Sequence, residues 1–280
     1  MYFFFVCALP LIAFGRESRL FLYLVLDDQT FSHAPLVPLI SIMLVYLDKE
    51  AVFREVSLNW VLGTPVLSLG FGLLAVVRLG PWQLNPHNQI SIFAFGLVLI
   101  WVGAFALFFG KQALQAACFP LAFLAFAIPI PEPILSKTIY FLQEGSANST
   151  EKFFELIGVP YLRHDLIFQL PGVAIRVADE CSGIRSSLAL LITTVLACHL
   201  FLRGKWQRTL VIAAVVPLAV LKNGLRIATL SVLAIYVDPG FLYGNLHHRG
   251  GVVFFAIALI PMGLLFMLLR RSEKRSPAKA

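Results

Sequence analysis

Residues 89–109 read QISIFAFGLVLIWVGAFALFF, an apolar stretch without a single charged side chain. A helix needs about 20 apolar residues to cross the hydrocarbon core of a bilayer, and this stretch is long enough. The whole chain has the same character: of its 280 residues, 59% are hydrophobic and 13% are charged. Soluble domains carry about 25% charged residues. The sequence therefore predicts an all-α integral membrane protein with little room for a soluble domain.

Similar apolar runs lie on both sides of this stretch, and together they predict a polytopic bundle of about eight transmembrane helices in a single domain, 1–280. The first run lacks the basic residues that precede a signal-peptide core, so it is interpreted as a span rather than a cleaved leader. The predicted spans are 2–15, 33–47, 58–78, 89–109, 112–131, 183–203, 209–236 and 249–269.

Basic residues give these spans an orientation. Alternate connections carry Lys49, Lys111, the group at 203–208 and the basic tail 270–280, and the positive-inside rule places such connections in the cytoplasm. Both termini then lie inside, and the long connection 132–182 lies outside. The net charge of +7 is thereby explained by orientation, so no nucleic-acid partner is expected.

The outer connection 132–182 has two predicted parts. From Ile134 to Ile157 apolar residues recur at roughly helical spacing, which predicts an extracytoplasmic amphipathic helix, with a break near Gly145. Residues 158–177 then form two short β-type runs around a Pro-Gly pair, which predicts a short β-hairpin between the fifth and sixth spans.

The hairpin leads into the polar segment 178–187, which contains Cys181. The other cysteines, Cys7, Cys118 and Cys198, lie inside apolar runs, where cysteine is typically a small packing residue. Cys181 alone has polar neighbours, and it comes just before a predicted span. Because a helix N-terminus stabilises a thiolate, Cys181 is a candidate nucleophile; the alternative is an inert buried thiol.

The neighbours of Cys181 favour the reactive interpretation. Arg185 lies one helical turn later and adds positive potential. Ser182 and Gly183 let another backbone approach closely. The carboxylates of Asp179 and Glu180 act in the opposite direction, although Asp179 is also a candidate N-cap.

Lys222 and Arg226 lie inside the predicted span 209–236, where a charged side chain costs roughly 3 kcal/mol unless it pairs or lines a cavity. A guanidinium stays charged and offers several donors in one plane, so Arg226 is suited to stabilise an oxyanion. Asn223 shares its helix face and can hold it in place. The alternative for Arg226 is a structural role between helices. Lys222 is expected to snorkel or to pair with an acidic group.

His247 and His248 begin the last span from the outside. Either histidine is suited to protonate a leaving amine and then to activate a second nucleophile. Adjacent helix residues point in different directions, so only one faces a cleft, and the spacing does not choose between them; an interfacial pair is the alternative. No metal-binding motif accompanies them, so no metal or cofactor is expected.

These motifs resemble those of the exosortase/archaeosortase family of membrane cysteine transpeptidases. The resemblance rests on Cys-Ser-Gly-x-Arg-Ser from Cys181, Asn-x-x-Arg from Asn223 and His-x-x-x-Gly from His247. It extends more weakly to residues 32–38.

The resemblance implies a catalytic site made of Cys181, Arg226 and His247. His247 is preferred because it lies four residues before Gly251; where the family usually has an acidic residue next, this chain has His248. Supporting roles are expected for Ser182, Arg185, Asn223 and His248.

The resemblance further implies the substrate: exported proteins with a C-terminal sorting signal that consists of a Pro-Glu-Pro motif, one hydrophobic span and a basic tail. The site would meet this signal at the extracytoplasmic face of the plasma membrane. Cys181 would form a thioacyl intermediate, which an amine or water would resolve.

A transporter or channel with Arg226 and Lys222 lining an anion pathway is the main alternative. It explains the charges inside the span but not Cys181, and no inverted repeat is apparent. A membrane acyltransferase or phosphotransferase and a purely structural protein are weaker alternatives.

Overall fold

The computed structural model describes residues 2–80, 84–179, 182–242 and 251–275. Two compact units, Met1–Leu135 and Ser136–Ala280, make up the chain. The second unit contains all three motifs that the sequence singled out.

An antiparallel helix pair, α5 and α6, organises the first unit. Glycines let the two helices approach closely: a Cβ on Gly63 would lie 2.4 Å from the Cβ of Leu107, and one on Gly103 would lie 2.7 Å from the main-chain nitrogen of Leu67. The helices of this unit are α1 (Tyr2–Ala13), α2 (Gly15–Asp27), α3 (Leu36–Leu47), α4 (Lys49–Val52), α5 (Trp60–Leu79), α6 (Pro86–Ala116) and α7 (Cys118–Phe123), with 3-10 turns at Gln29–Phe31 and Leu124–Ala127.

The second unit places a small sheet beside a group of helices. Helix α8 (Glu132–Ile157) begins just before the unit boundary and continues into it. The sheet follows α8, and four α-helices come after it in the described part of this unit. The remaining elements are β1 (Leu162–His164), β2 (Ile167–Leu170), β3 (Val173–Arg176), α9 (Ile184–Phe201), α10 (Lys205–Ala213), α11 (Val215–Tyr236), a 3-10 turn at Pro239–Leu242 and α12 (Gly251–Arg275).

The three strands pair antiparallel in the order β1-β2-β3. Leu170 pairs with Val173 across the turn Pro171-Gly172, so β2 and β3 are adjacent along the chain and in the sheet. Strand β1 (Leu162–His164) was not predicted, because the sequence indicated only two β-type runs within residues 158–177. One face of the sheet packs on α8 and α11 through a cluster that includes Phe154, Phe168, Val177, Ile227 and Ala228.

Five helices in the described part of the chain are long and apolar enough to cross a membrane, and a sixth is added if Cys118–Ala127 and Glu132–Ile157 count as one broken span. Such a set belongs to a multi-pass, mainly helical membrane protein. The first two predicted spans correspond to shorter apolar helices, Tyr2–Ala13 and Leu36–Leu47. The total of eight therefore stays a prediction.

Two local predictions differ from the structure. Helix α8 continues through Gly145 without a break; a Cβ there would lie 3.0 Å from Val220 Cγ2, so this glycine allows α11 to approach. Cys198 is buried and Cys7 half-buried, but Cys118 is exposed and does not pack in the interior as expected. The boundary predicted between the spans 89–109 and 112–131 coincides with a kink at Gly110, where the backbone geometry is non-helical and two helical segments meet within α6.

Candidate active site

One face of α8 carries polar side chains that the protein interior covers. Gln143, Ser146 and Thr150 are all 5% exposed or less, and their spacing of three and four residues places them on the same side of the helix. The hydroxyl of Thr150 donates to the carbonyl oxygens of Ser146, at 2.8 Å, and of Gly224, at 3.3 Å. This polar face is the base on which the segments around Cys181 and Arg226 are held.

Gln143 holds the segment that leads to Cys181. Its side-chain amide donates to the carbonyl oxygen of Val177 at 2.8 Å and to Asp179 Oδ1 at 3.0 Å. The main-chain N–H of Ser182 donates to the carbonyl oxygen of Asp179 at 3.0 Å. These bonds fix the chain on both sides of Cys181.

The N-cap of α9 is Gly183 and not Asp179, so that prediction was wrong. Gly183 has left-handed geometry, with φ of 74°, and makes no side-chain cap. The carboxylate of Asp179 is engaged instead by Gln143. The buried hydroxyl of Ser182 accepts a hydrogen bond from the N–H of Ile184 at 3.3 Å, which satisfies one donor in the first turn of α9.

Gly183 also brings the cysteine motif against the arginine motif. A Cβ at this position would lie 3.0 Å from Asn223 Oδ1. The close neighbour is therefore a side-chain amide, whereas the sequence led us to expect a backbone. Asn223 is 1% exposed, and its amide nitrogen donates to Ser146 Oγ at 2.9 Å. Asn223 thus connects the start of α9 to the polar face of α8.

Lys222 is 7% exposed, and its ammonium group donates to Ser186 Oγ. The sequence predicted that Lys222 would snorkel or pair with an acidic group. Its partner in the structure is instead a hydroxyl. Ser186 and Ser187 in turn donate to the carbonyl oxygen of Gly183 at 3.0 and 2.8 Å. Lys222 thereby supports the first turn of α9.

Arg226 is half-buried and lines a small cavity of about 50 Å³. The cavity lies where α11 faces β3 and the following 3-10 turn. Its other walls come from Ile175, Arg176, Val177, Ile227, Leu230, Ser231 and Leu242. Lys222 does not line this cavity, which weakens the anion-pathway alternative.

The remaining predicted site residues are divided between described and undescribed parts of the chain. Arg185 is exposed on the first turn of α9. Cys181, His247 and His248 lie outside the described residues, so their roles stay predictions. His33, in the segment 32–38, was not among the predicted site residues; it belongs to the first unit, where it is half-buried and hydrogen-bonded to the main chain of Thr30 and Phe126, as is typical of a structural histidine.

The sheet is anchored to α8 by a charged cluster. Arg163 Nη1 donates to Glu151 Oε2 at 2.6 Å and to Asn148 Oδ1 at 2.8 Å. The hydroxyl of Tyr161 lies 3.1 Å from carboxylate oxygens of both Glu151 and Glu155. Desolvation and these two carboxylates raise the pKa of Tyr161 to about 12, so the phenol stays protonated as a donor.

Sequence reasoning missed Gln143, Ser146 and Thr150. Their spacing of three and four residues was visible in the sequence, but that spacing does not show which face of α8 the rest of the protein covers. Among the described residues, no group of three or more His, Cys, Asp and Glu side chains is placed to hold a metal ion.

Comparison with models of protein families gives a match over residues 25–264 to the model described as transmembrane exosortase. Curated proteins give no match, and solved structures give none either.

Proposed function

The chain belongs to the transmembrane exosortase family, and from this premise we propose that it is a membrane-embedded cysteine protease or transpeptidase that cleaves C-terminal sorting signals. Membership of the family indicates a multi-pass membrane enzyme that processes exported proteins. The signal proposed for this chain has a Pro-Glu-Pro motif, a hydrophobic span and a basic tail. The site is proposed to face the extracytoplasmic side of the plasma membrane.

In the proposed reaction the Cys181 thiolate attacks a peptide carbonyl just outside the substrate's span. A carbon–sulfur bond forms, and the negative charge that develops on the carbonyl oxygen is stabilised by the guanidinium of Arg226. The carbon–nitrogen bond then breaks as His247 gives its proton to the leaving amine. An amine or water attacks the thioacyl carbon, His247 takes up its proton, and the thiolate leaves.

The observation that carries this proposal is the contact between Gly183 and Asn223. Gly183 follows Cys181 closely along the chain, and Asn223 lies one helical turn before Arg226 on α11. The position that a Cβ on Gly183 would occupy is 3.0 Å from Asn223 Oδ1. This contact supports a shared site for the cysteine and arginine motifs, which lie far apart in the sequence.

Arg226 supports an oxyanion site over a neutral one. It contributes to the cavity beside β3, and a guanidinium offers a positive charge and several donors in one plane. The arginine needs no proton transfer to act, so the single proton in the mechanism is left to the histidine.

Co-expression with a reporter protein tests the proposal. The reporter ends in a Pro-Glu-Pro motif, an apolar span and a basic tail, and its mass is compared in cells with the wild type and with Cys181→Ala. We expect the wild type to remove the tail and Cys181→Ala to leave the reporter intact.

Cys198→Ala is the matched control, because Cys198 is buried in a cluster formed by α9, α10, α11 and α12 and is not among the residues of the proposed site. It should process the reporter as the wild type does. Full processing by Cys181→Ala would refute the thiol mechanism. Equal loss of processing in both variants would mean that removal of either cysteine impairs the protein, so the loss in Cys181→Ala would not support a nucleophilic role.

A further inference from the structure

Strand β3 lies at an edge of the sheet. It pairs with β2 on one side, and no described strand pairs with its other side. The N–H of Val177 donates to the carbonyl oxygen of Leu166 at 2.9 Å. Because main-chain groups alternate in direction along an antiparallel strand, Val173, Ile175 and Val177 direct theirs at β2. Ala174 and Arg176 direct their main-chain groups away from it.

Three of these outward groups are available for pairing. The carbonyl oxygen of Arg176 accepts the N–H of Ala178 at 3.0 Å. Within the described ranges, no residue bonds the N–H or carbonyl of Ala174 or the N–H of Arg176. Both residues are exposed. An edge with free donors and acceptors is a template for another extended chain.

The free edge lies next to the proposed catalytic arginine. Residues 175–177 form one wall of the cavity that Arg226 lines. Beyond β3 the chain continues through Asp179 to Cys181. A strand that added to β3 would therefore run beside Arg226 and toward Asp179.

We propose that the sorting segment of the substrate binds as an additional strand along the free edge of β3. The inference rests on the proposed function, and it assigns the mode by which that function recognises its substrate. Main-chain hydrogen bonds to Ala174 and Arg176 supply the binding, so the enzyme holds an extended segment with little dependence on side-chain identity.

The spacing of prolines in a Pro-Glu-Pro motif fits this mode. Proline has no N–H and cannot donate to a neighbouring strand. Alternate residues of an extended chain direct their main-chain groups the same way. Both prolines can therefore face away from β3 while the intervening glutamate directs its N–H and carbonyl at the strand. This holds for either direction of the added strand.

A pair of proline substitutions tests the edge. Ala174→Pro removes an N–H that the sheet does not use, and proline is tolerated at such edge positions. Gln169→Pro lies opposite it on the central strand and removes an N–H on the side of β2 that faces β1. Each change is made in full-length protein with Cys181→Ala, reconstituted in nanodiscs, and thermal unfolding is measured first.

Binding is then measured with a fluorescent synthetic peptide that contains Pro-Glu-Pro within a flexible polar sequence. We expect Ala174→Pro to unfold within a few degrees of its parent and to bind the peptide at least tenfold more weakly. Gln169→Pro should lower the unfolding temperature clearly. Parent-like binding by Ala174→Pro would overturn the inference.

A modified peptide tests the same contact without any change in the protein, which covers the case that Ala174→Pro fails to fold. N-methylation of the glutamate removes the N–H that would face β3 and should weaken binding at least tenfold. N-methylation three residues earlier, where the N–H would face away, is the matched control. Equal binding of the two methylated peptides would overturn strand addition.

The result also separates this inference from the proposed function. If the wild type cleaves the reporter and both methylated peptides bind equally, the enzyme is a sorting protease with another mode of recognition. If the wild type neither cleaves the reporter nor binds the unmodified peptide, the proposed function fails and the inference with it.

Discussion

Two separate structural features of residue 183 require a glycine there. Its φ of 74° is in the left-handed region, which costs a residue with a side chain about 1–2 kcal/mol. Its Cα also lies so close to Asn223 that a Cβ would be 3.0 Å from Oδ1 of the amide. Only glycine meets both demands, so the glycine of the cysteine motif has a structural reason apart from catalysis.

We predict that Gly183→Ala destabilises the protein by more than about 2 kcal/mol, since it adds a displacement of Asn223 to the cost of the left-handed conformation. Gly172→Ala is the matched control, because Gly172 has φ of 78° but nothing within 4 Å of its Cβ position. It should cost about 1 kcal/mol. Thermal unfolding in detergent compares them, and equal losses would contradict a role for the Asn223 contact.

The reactive candidates could be found in the sequence because a polar residue in an apolar run is rare. Arg226 and Lys222 stood out for that reason, and both are engaged in the interior of the second unit. Gln143 and Ser146 did not stand out, because α8 is polar on several sides and burial is decided by which face α11 and the sheet cover. The partner of Lys222, Ser186, was equally hidden, since a serine beside a helix start has many ordinary roles.

Helices α8 and α11 approach each other through Gly224. A Cβ on this residue would lie 2.5 Å from Ser149 Cβ and 3.1 Å from the main-chain nitrogen of Thr150. The approach allows Thr150 to reach the carbonyl oxygen of Gly224 and Asn223 to reach Ser146. The spacing of these two helices therefore sets the position of the arginine motif.

We predict that Gly224→Ala destabilises the protein by about 2 kcal/mol and abolishes processing, because the added methyl group must push α8 and α11 apart. Gly263→Ala is the control: this glycine is inside α12 with nothing within 4 Å of its Cβ position. It should stabilise the protein by about 0.5–1 kcal/mol through its better helix propensity. A Gly224→Ala protein with wild-type unfolding and activity would rule out the close contact.

The docking of the sheet on α8 should depend on pH through Tyr161. Its folded-state pKa is raised from 10 to about 12. The folded protein thus retains the phenol proton at pH values where the unfolded chain has lost it. This contribution to stability is complete below pH 10 and is lost as the pH rises toward 12.

We predict that tyrosinate absorbance of the folded wild type includes a component that titrates near pH 12 and is absent in Tyr161→Phe. Tyr140→Phe, which changes an exposed tyrosine of α8, should leave that component in place. A wild-type titration that is complete by pH 11 would show that the two carboxylates do not hold the proton.

At the scale of the whole chain, the apolar runs predicted the helical membrane class. The number of spans depends in addition on whether each apolar helix is long enough to cross the bilayer. Helices α1 and α3 have 12 residues each, and a helix of that length rises about 18 Å against a hydrocarbon core of about 30 Å. Composition alone did not reveal where a run would end in a turn. The sheet was easier to locate, because Pro171-Gly172 marks its tight turn.

We predict from the distribution of basic residues that the sheet lies outside and the connection between α9 and α10 lies inside. A phosphatase reporter that is active only outside the cytoplasm should be active when fused after Tyr161 and inactive when fused after Lys205. A cytoplasm-specific fluorescent reporter at the same positions should give the opposite pattern. Active phosphatase after Lys205 would reverse the proposed orientation.

The polar face of α8 has a consequence for the order of assembly. Ser146 and Thr150 find partners on α11, which the ribosome makes only after the sheet, α9 and α10. Until then Ser146 lacks its partner on α11, and Thr150 keeps only its bond to the Ser146 carbonyl oxygen within α8; water or lipid headgroups must serve Ser146, because hydrocarbon offers no hydrogen bonds. We therefore expect nascent α8 to stay at the bilayer surface and the proposed site to be completed late in biogenesis, when α11 arrives. A delay in the insertion of α11 would leave a chain whose earlier spans are in place but whose proposed site is unfinished.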